Sequence, residues 1–332
     1  MKKFWDKLPQ PACADKPFFC LAPMADVTDA AFRRVITKYG KPDVFWTEFV
    51  SADGLVSKGR EVLKDNLIFD KKEKPIIAQL FSSDPKKMRE ASSYVASLGF
   101  DGIDVNMGCP DRSIEKQGAG ASMMKTPEVA REIIQAVKDG IDDFNKTQKK
   151  KRDISVSVKT RIGYNKNQIE EWIPFLLSQG LDALTLHART RKEMSKTKAN
   201  WGHVRRVVEI RNEMKLSTKI IGNGDVTDVE QGRKLALLSG CDGIMIGRGI
   251  FGNPWLFSGK TPSLKKKLEV MVDHTKLFEK LLGHHRNFSV MKKHYKAYVN
   301  GFEGAKELRV KLMETKNSRE VEKIVREFLK NN

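Results

Sequence analysis

Between residues 18 and 250 the chain alternates short β-branched or aromatic runs with amphipathic helical patterns, eight times over. Runs that are apolar almost end to end suit strands buried on both faces, and the intervening helices supply the crossovers that parallel pairing requires. The strand candidates are 18–21, 44–50, 76–81, 102–106, 154–160, 183–187, 219–222 and 243–247, with helical patterns between them over, for instance, 84–98, 127–138, 169–178, 203–214 and 228–238. Eight such units in roughly 230 residues, with polar and glycine residues gathered at the strand ends, point to an α/β fold of the (β/α)8 TIM-barrel type rather than an open doubly wound sheet.

In a barrel those strand ends share one rim, so their residues converge. The first strand is followed by Ala22-Pro23-Met24-Ala25, the third carries Gln79, and the fourth runs into Asn106-Met107-Gly108-Cys109-Pro110. The fifth ends in Lys159-Thr160-Arg161, the sixth in His187-Ala188-Arg189-Thr190, the seventh in Gly222-Asn223-Gly224-Asp225 and the eighth in Gly247-Arg248-Gly249. Glycines on the last two strands, with Arg248, make a phosphate cradle of backbone N–H groups. A phosphate-tailed planar cofactor held by Gln79, Lys159 and His187 would lie beside Cys109. Gly108 permits close backbone approach and Asn106 can both donate to and accept from a planar polar group. Cys109 could serve as nucleophile, acid or metal ligand, according to its neighbours.

Lys and Arg outnumber Asp and Glu by 61 to 42, a net charge of +19 that favours a polyanionic partner. Cys13, Cys20, Cys109 and Cys241 form no CxxC pair, which suggests a reducing compartment without zinc site or disulfide framework. No metal site is expected at His284 and His285, which have no third ligand at suitable spacing. No run of about 18 apolar residues is present, and the first residues lack the apolar core of a signal peptide, so a cytoplasmic protein without membrane contact is expected.

Taken together, 22–29, Asp104-Val105-Asn106-Met107-Gly108-Cys109-Pro110, Lys159-Thr160-Arg161-Ile162-Gly163, His187-Ala188-Arg189-Thr190, Gly222-Asn223-Gly224-Asp225 and Gly247-Arg248-Gly249 resemble the motifs of the tRNA-dihydrouridine synthases, in the same order. The resemblance covers about 18–257 and is nearest to the bacterial B-type subgroup. It implies an FMN-binding barrel over 1–257 and a helical tRNA-binding domain over 258–332, acting as a monomer that reduces the C5–C6 bond of selected uridines with NADPH as reductant. By matching position, Pro23 and Met24 pack by the isoalloxazine, Gln79, Lys159 and His187 hold its polar edge, and Asn223, Gly224, Asp225, Gly247 and Arg248 surround its phosphate. Cys109 matches the general acid, and Asn106 and Arg161 are expected at the uracil edge. A thiol is protonated at neutral pH and can supply a proton to C5 as hydride reaches C6.

The segment 191–201 departs from many relatives, with Glu193, Ser195, Thr197 and Asn200 in place of the usual residues. From about 258 only helical periods remain. Val321, Ile324, Val325, Phe328 and Leu329 form one apolar stripe, opened by Asn317 with Glu320 three residues on, and Met291, Tyr295, Tyr298 and Phe302 form another. Lys292, Lys293 and Lys296, with His284, His285 and Arg286 just before them, form a basic ridge expected to track tRNA phosphates. The rival readings are an FMN barrel for a free pyrimidine or enone, an RNA-binding barrel without chemistry, and an aldolase-like phosphate barrel that would use Lys159 in a Schiff base. The basic helical tail opposes the first, and the joint presence of Cys109, Lys159 and His187 opposes the others.

Overall fold

The structure, a computed structural model, describes residues 3–9 and 16–331; Cys13 lies outside them. The eight strands are β1 (Phe18–Leu21), β2 (Phe45–Ser51), β3 (Ile76–Phe81), β4 (Gly102–Met107), β5 (Ser155–Arg161), β6 (Ala183–His187), β7 (Lys219–Asn223) and β8 (Gly243–Ile246). All paired strands are parallel, in the order β1-β8-β7-β6-β5-β4-β3-β2. A parallel bridge between Cys20 and Val44, with Leu21 N–H donating to the Val44 carbonyl at 3.1 Å, joins the two ends of the sheet. The expected barrel is therefore present, and each strand begins and ends within one residue of its expected position.

Period-two alternation assigns each strand residue a face. Along β4, Ile103, Val105 and Met107 join the apolar layer under the helices, while Asp104 and Asn106 hydrogen-bond to neighbours within the barrel. The lower interior is filled by Trp5, Phe18, Cys20, Val44, Trp46, Ile77, Ile221 and Met245. The short helix Phe4–Lys7 brings Trp5 there, where its indole N–H donates to Ser155 Oγ at 2.6 Å.

Helix starts follow their capping residues. Asp84 accepts from the N–H groups of Lys86 and Lys87 at the head of Pro85–Ser97, and Asp228 from Gln231 at the head of Val229–Ser239. The helix from Pro127 continues to Lys146, beyond the expected 138, because Ile141 and Phe144 extend its buried stripe. The C-terminal region is helical as expected, over Leu264–Leu282, Val290–Tyr298, Ala305–Glu314 and Ser318–Lys330. Asn317 accepts from Glu320 N–H at 3.0 Å, and Val321 and Val325 are buried while Ile324, Phe328 and Leu329 are partly so. Met291, Tyr295 and Tyr298 are fully buried, so the second stripe is core.

These helices share one apolar core with the outer face of the barrel. Phe32, on the helix Ala30–Tyr39, stacks on His274 at 4.9 Å between ring centres and meets the edge of His294 at 4.8 Å. Burial keeps both imidazoles neutral, well below their usual pKa. Beside them Arg286 grips Glu48 through two bonds of 3.1 and 2.7 Å. Glu48 also accepts from Asp26 N–H.

Candidate active site

At the C-terminal rim a cavity of about 340 Å³ is lined by Ala22, Pro23 and Met24 on one side and by Lys159, Arg161, His187 and Arg189 on another. Asn223, Gly224, Asp225, Gly247 and Arg248 complete it, with Pro110 and the loop residues Met194 and Ser195 at its edge. Ten residues expected at a cofactor or substrate site therefore share this one space. Cys109 adjoins it through Pro110. Gln79 and Asn106, at 0% and 6% exposure, lie beneath it instead.

Lys159 reaches the cavity from the inward face of β5 and donates to Asn223 Oδ1 at 3.1 Å. Burial, and then the charge of Arg161, lower its pKa to about 8, while Asp104 acts in the opposite direction. A buried ammonium with so little compensation is satisfied by an electron-rich group placed in the cavity. Arg161 is held at about 10, mainly by burial. His187 lies 3.1 Å from Arg189 Nη1 through Nε2, and burial followed by the charge of Lys159 holds it neutral. Its Nε2 can therefore act as an acceptor.

Gly224 has φ +134°, and a side chain there would place Cβ 2.7 Å from Ala199 Cβ, so the backbone of this turn stays accessible only with glycine. A flat apolar wall, a glycine turn and the cations Lys159, Arg189 and Arg248 suit a planar aromatic ligand with an anionic tail. Asp225 is occupied by Arg189 and by Arg248, the latter at 2.9 Å. Its carboxylate orients the cations around the cavity it also lines.

The Cys109 loop is pinned from three sides. Asn106 Oδ1 accepts from Gly108 N–H at 3.1 Å and Cys109 N–H at 2.9 Å. Arg161 Nε donates to the Gly108 carbonyl at 2.7 Å, and Ala121 N–H donates to the Cys109 carbonyl at 2.9 Å. Burial raises the thiol pKa, so Cys109 is a protonated group at neutral pH. That property suits an acid better than a nucleophile.

Asn106 and Arg161 both bond groups of the site. The amide of Asn106 bonds Gln79 and the loop, while Arg161 lines the cavity and through Nε and Nη1 donates to the carbonyls of Gly108, Thr190 and Met194. Gln79, expected at the cofactor edge, bonds Asp104 and Asn106.

The atypical segment 191–201 folds over the rim. Arg191 forms a two-pronged pair with Glu115 and covers the Tyr164 ring, 5.1 Å from its centre. Glu193 accepts from Thr190 N–H at 2.7 Å, Thr197 offers its carbonyl to Arg189, Asn200 accepts from Gly202 N–H, and Trp201 Nε1 donates to the Gly224 carbonyl. Sequence reasoning passed over Glu115 and Tyr164 and gave Asp104, the first residue of its motif, no role. Asp104 alone carried a signal, being a charged residue inside the apolar run 102–105.

The basic ridge is only partly free. Lys292 is half-buried, Lys296 is exposed, and exposed Lys293 lies 3.1 Å from Asp26. Arg286 is taken by Glu48. His284 and His285 both meet Asp65, at 3.2 and 2.8 Å, so the third polar group absent along the chain is supplied in space by the barrel. These three residues therefore clasp the helices to the barrel and leave the expected ridge shorter.

Residues 20–332 match the family described as dihydrouridine synthase (Dus). A "probable tRNA-dihydrouridine synthase" of Staphylococcus aureus (strain MRSA252) is 39% identical over 98% of this chain and 96% of its own. A "probable tRNA-dihydrouridine synthase 2" of Bacillus subtilis (strain 168) is 39% identical over 98% and 97%. Among solved structures, histamine dehydrogenase from Rhizobium sp. 4-9 superposes with a TM-score of 0.52 at 13% identity, over 84% of this chain and 51% of that one. A 2-naphthoyl-CoA reductase gives 0.52 at 11%, over 73% and 49%; at these identities the likeness is one of fold.

Proposed function

Since the chain belongs to the dihydrouridine synthase family, we propose that it reduces particular uridines of tRNA to 5,6-dihydrouridine, with FMN in the rim cavity and NADPH as the reductant. The observation that carries this reading is a protonated, loop-clamped Cys109 beside a cavity whose polar wall is Lys159, His187 and Asn223.

When bound, the flavin supplies hydride equivalents to uracil C6. Pro23 and Met24 offer its ring an apolar wall, and Lys159 sets a positive charge against the polar edge, where negative charge collects on reduction. Asn223, Gly224, Gly247 and Arg248 receive the phosphate. Cys109 delivers its proton to C5 of the uracil, and Asn106 and Arg161 hold the loop that aims it. The base must leave its stack to reach so recessed a group. The helical region 258–332 supplies further contacts to tRNA, with Lys292, Lys293 and Lys296 meeting phosphates. Among the described residues, no helix is long and apolar enough to cross a membrane.

The decisive experiment is an absorbance spectrum of the purified protein, followed by anaerobic reduction with NADPH and then reoxidation. Flavin bands should bleach and return with unmodified tRNA but not with free uridine. Cys109→Ala should keep the bands and lose nearly all dihydrouridine formation. A protein that stays colourless after FMN is supplied, or a Cys109→Ala variant working at the original rate, overturns the reading.

A further inference from the structure

Asp104 lies inside the barrel between β3 and β5, at 0% exposure and aligned in register with Gln79 and Ser157. Its Oδ1 accepts from Ser157 Oγ at 2.5 Å and its Oδ2 from Gln79 Nε2 at 2.7 Å. Gln79 Oε1 then accepts from Asn106 Nδ2 at 3.0 Å, and Asn106 Oδ1 accepts from the N–H groups of Gly108 and Cys109. The chain is directional. A carboxylate can only accept, so the NH2 end of Gln79 must face Asp104 and its oxygen must face Asn106. That in turn directs the NH2 end of Asn106 to Gln79 and its oxygen to the loop.

We propose that Asp104 is a positioning residue whose ionised carboxylate, acting through the Gln79 and Asn106 amides, holds the Cys109 loop in its working position. A protonated Asp104 can donate as well as accept, so both amides gain a second arrangement, in which the Asn106 NH2 faces the two loop N–H groups and releases them. The order of both amides, and through them the hold on the loop, is set by one proton on Asp104.

The proton is within reach of ordinary pH. Burial raises the pKa of Asp104 to about 6, against the hydrogen bonds from Gln79 and Ser157 and the charge of Lys159. Of the elements packed on it, β3 presents the neutral Gln79, β2 the Trp46 indole, and β5 Ser157 and Lys159, whose charge favours the carboxylate. Cys109 and Lys159 titrate above this range, and His187 below it.

The inference concerns the same site as the proposed function, so its test reads the loop directly. Hydrogen exchange of the peptide containing Gly108 and Cys109, corrected for intrinsic rates, should be slow above about pH 6 and rise about three- to tenfold below it, the loss of roughly one hydrogen bond. Asp104→Asn, nearly the same size, should remove this pH step and exchange at the fast level throughout. Ser157→Ala, which deletes a bond that favours the carboxylate, should keep the step and move its midpoint upward. A purely structural role for Asp104 would shift no midpoint. A wild-type step that survives Asp104→Asn, or a midpoint unmoved by Ser157→Ala, overturns the proposal. Dihydrouridine formation is assayed on the same samples: the loop signature without activity would refute only the function, and activity without the signature would refute only the role of Asp104.

Discussion

At the scale of the residue, the barrel interior keeps a carboxylate where an apolar side chain would be more comfortable. Folding raises the pKa of Asp104 from the ordinary value of 3.8 to about 6, so its ionised form is disfavoured in the folded protein. The resulting penalty is absent below about pH 4, develops between pH 4 and 6, and reaches on the order of 3 kcal/mol above pH 6. Asp104→Asn should therefore gain stability relative to the natural protein as pH rises from 4 to 7, as measured by urea unfolding. A gap that stays constant would show that Asp104 carries no such penalty. Cys109 follows the same physics in a different direction of use: burial keeps it protonated, so alkylation should be slow at neutral pH and accelerate above the usual thiol range.

At the scale of the element, the loops that follow β4 and β6 are locked to each other. Glu115 lies just beyond the Cys109 loop and takes Arg191, while Arg161 ties the Gly108 carbonyl to those of Thr190 and Met194. Glu115→Gln should loosen 190–200 without disturbing the barrel, so limited proteolysis in that segment should speed up while the unfolding midpoint barely moves. Gly120 is the tighter constraint. It has φ +63°, and a Cβ there would lie 2.8 Å from the Cys109 carbonyl. Gly120→Ala should cost about 1–3 kcal/mol and displace the cysteine loop. Turnover with tRNA should fall while the flavin spectrum is retained, because the cavity wall is built from other strands.

At the scale of the whole molecule, the seam between barrel and helices concentrates buried charge. Asp29 is raised to about 7 by burial and by Glu48, against the Phe32 N–H bond and the charges of Arg286 and Arg33. Arg286→Ala would leave Glu48 without its cation and Asp29 with only Arg33 to offset it, and a loss of about 3–5 kcal/mol is expected in thermal or chemical unfolding. Outside the seam, Lys292→Glu with Lys296→Glu should weaken tRNA binding and flatten the dependence of log affinity on log salt by about one for each phosphate no longer neutralised. Lys293→Glu would also meet Asp26 as a like charge, so its effect should include a small loss of stability.

The barrel was legible because its signals are local: apolar runs of strand length, Asp84, Asp228 and Asn317 at helix starts, and glycines where the backbone must stay open. The same holds for the membership of the rim, since parallel strands deliver their C-terminal ends to one side and Lys159, His187, Asn223 and Arg248 each stand at such an end. What the tertiary structure alone decided is which of those residues face the cavity and which support it. Gln79 and Asn106 read alike in sequence with Lys159 and His187, yet they lie beneath the cavity, Gln79 bonded to Asp104 and Asn106 to Gln79, each more than 20 positions away. A hydrogen bond depends on the distance and direction of two side chains in space, and spacing along a chain carries neither. For the same reason Asp65 meets His285 across 220 positions, and Arg286, which reads as part of a basic ridge, ends paired with Glu48.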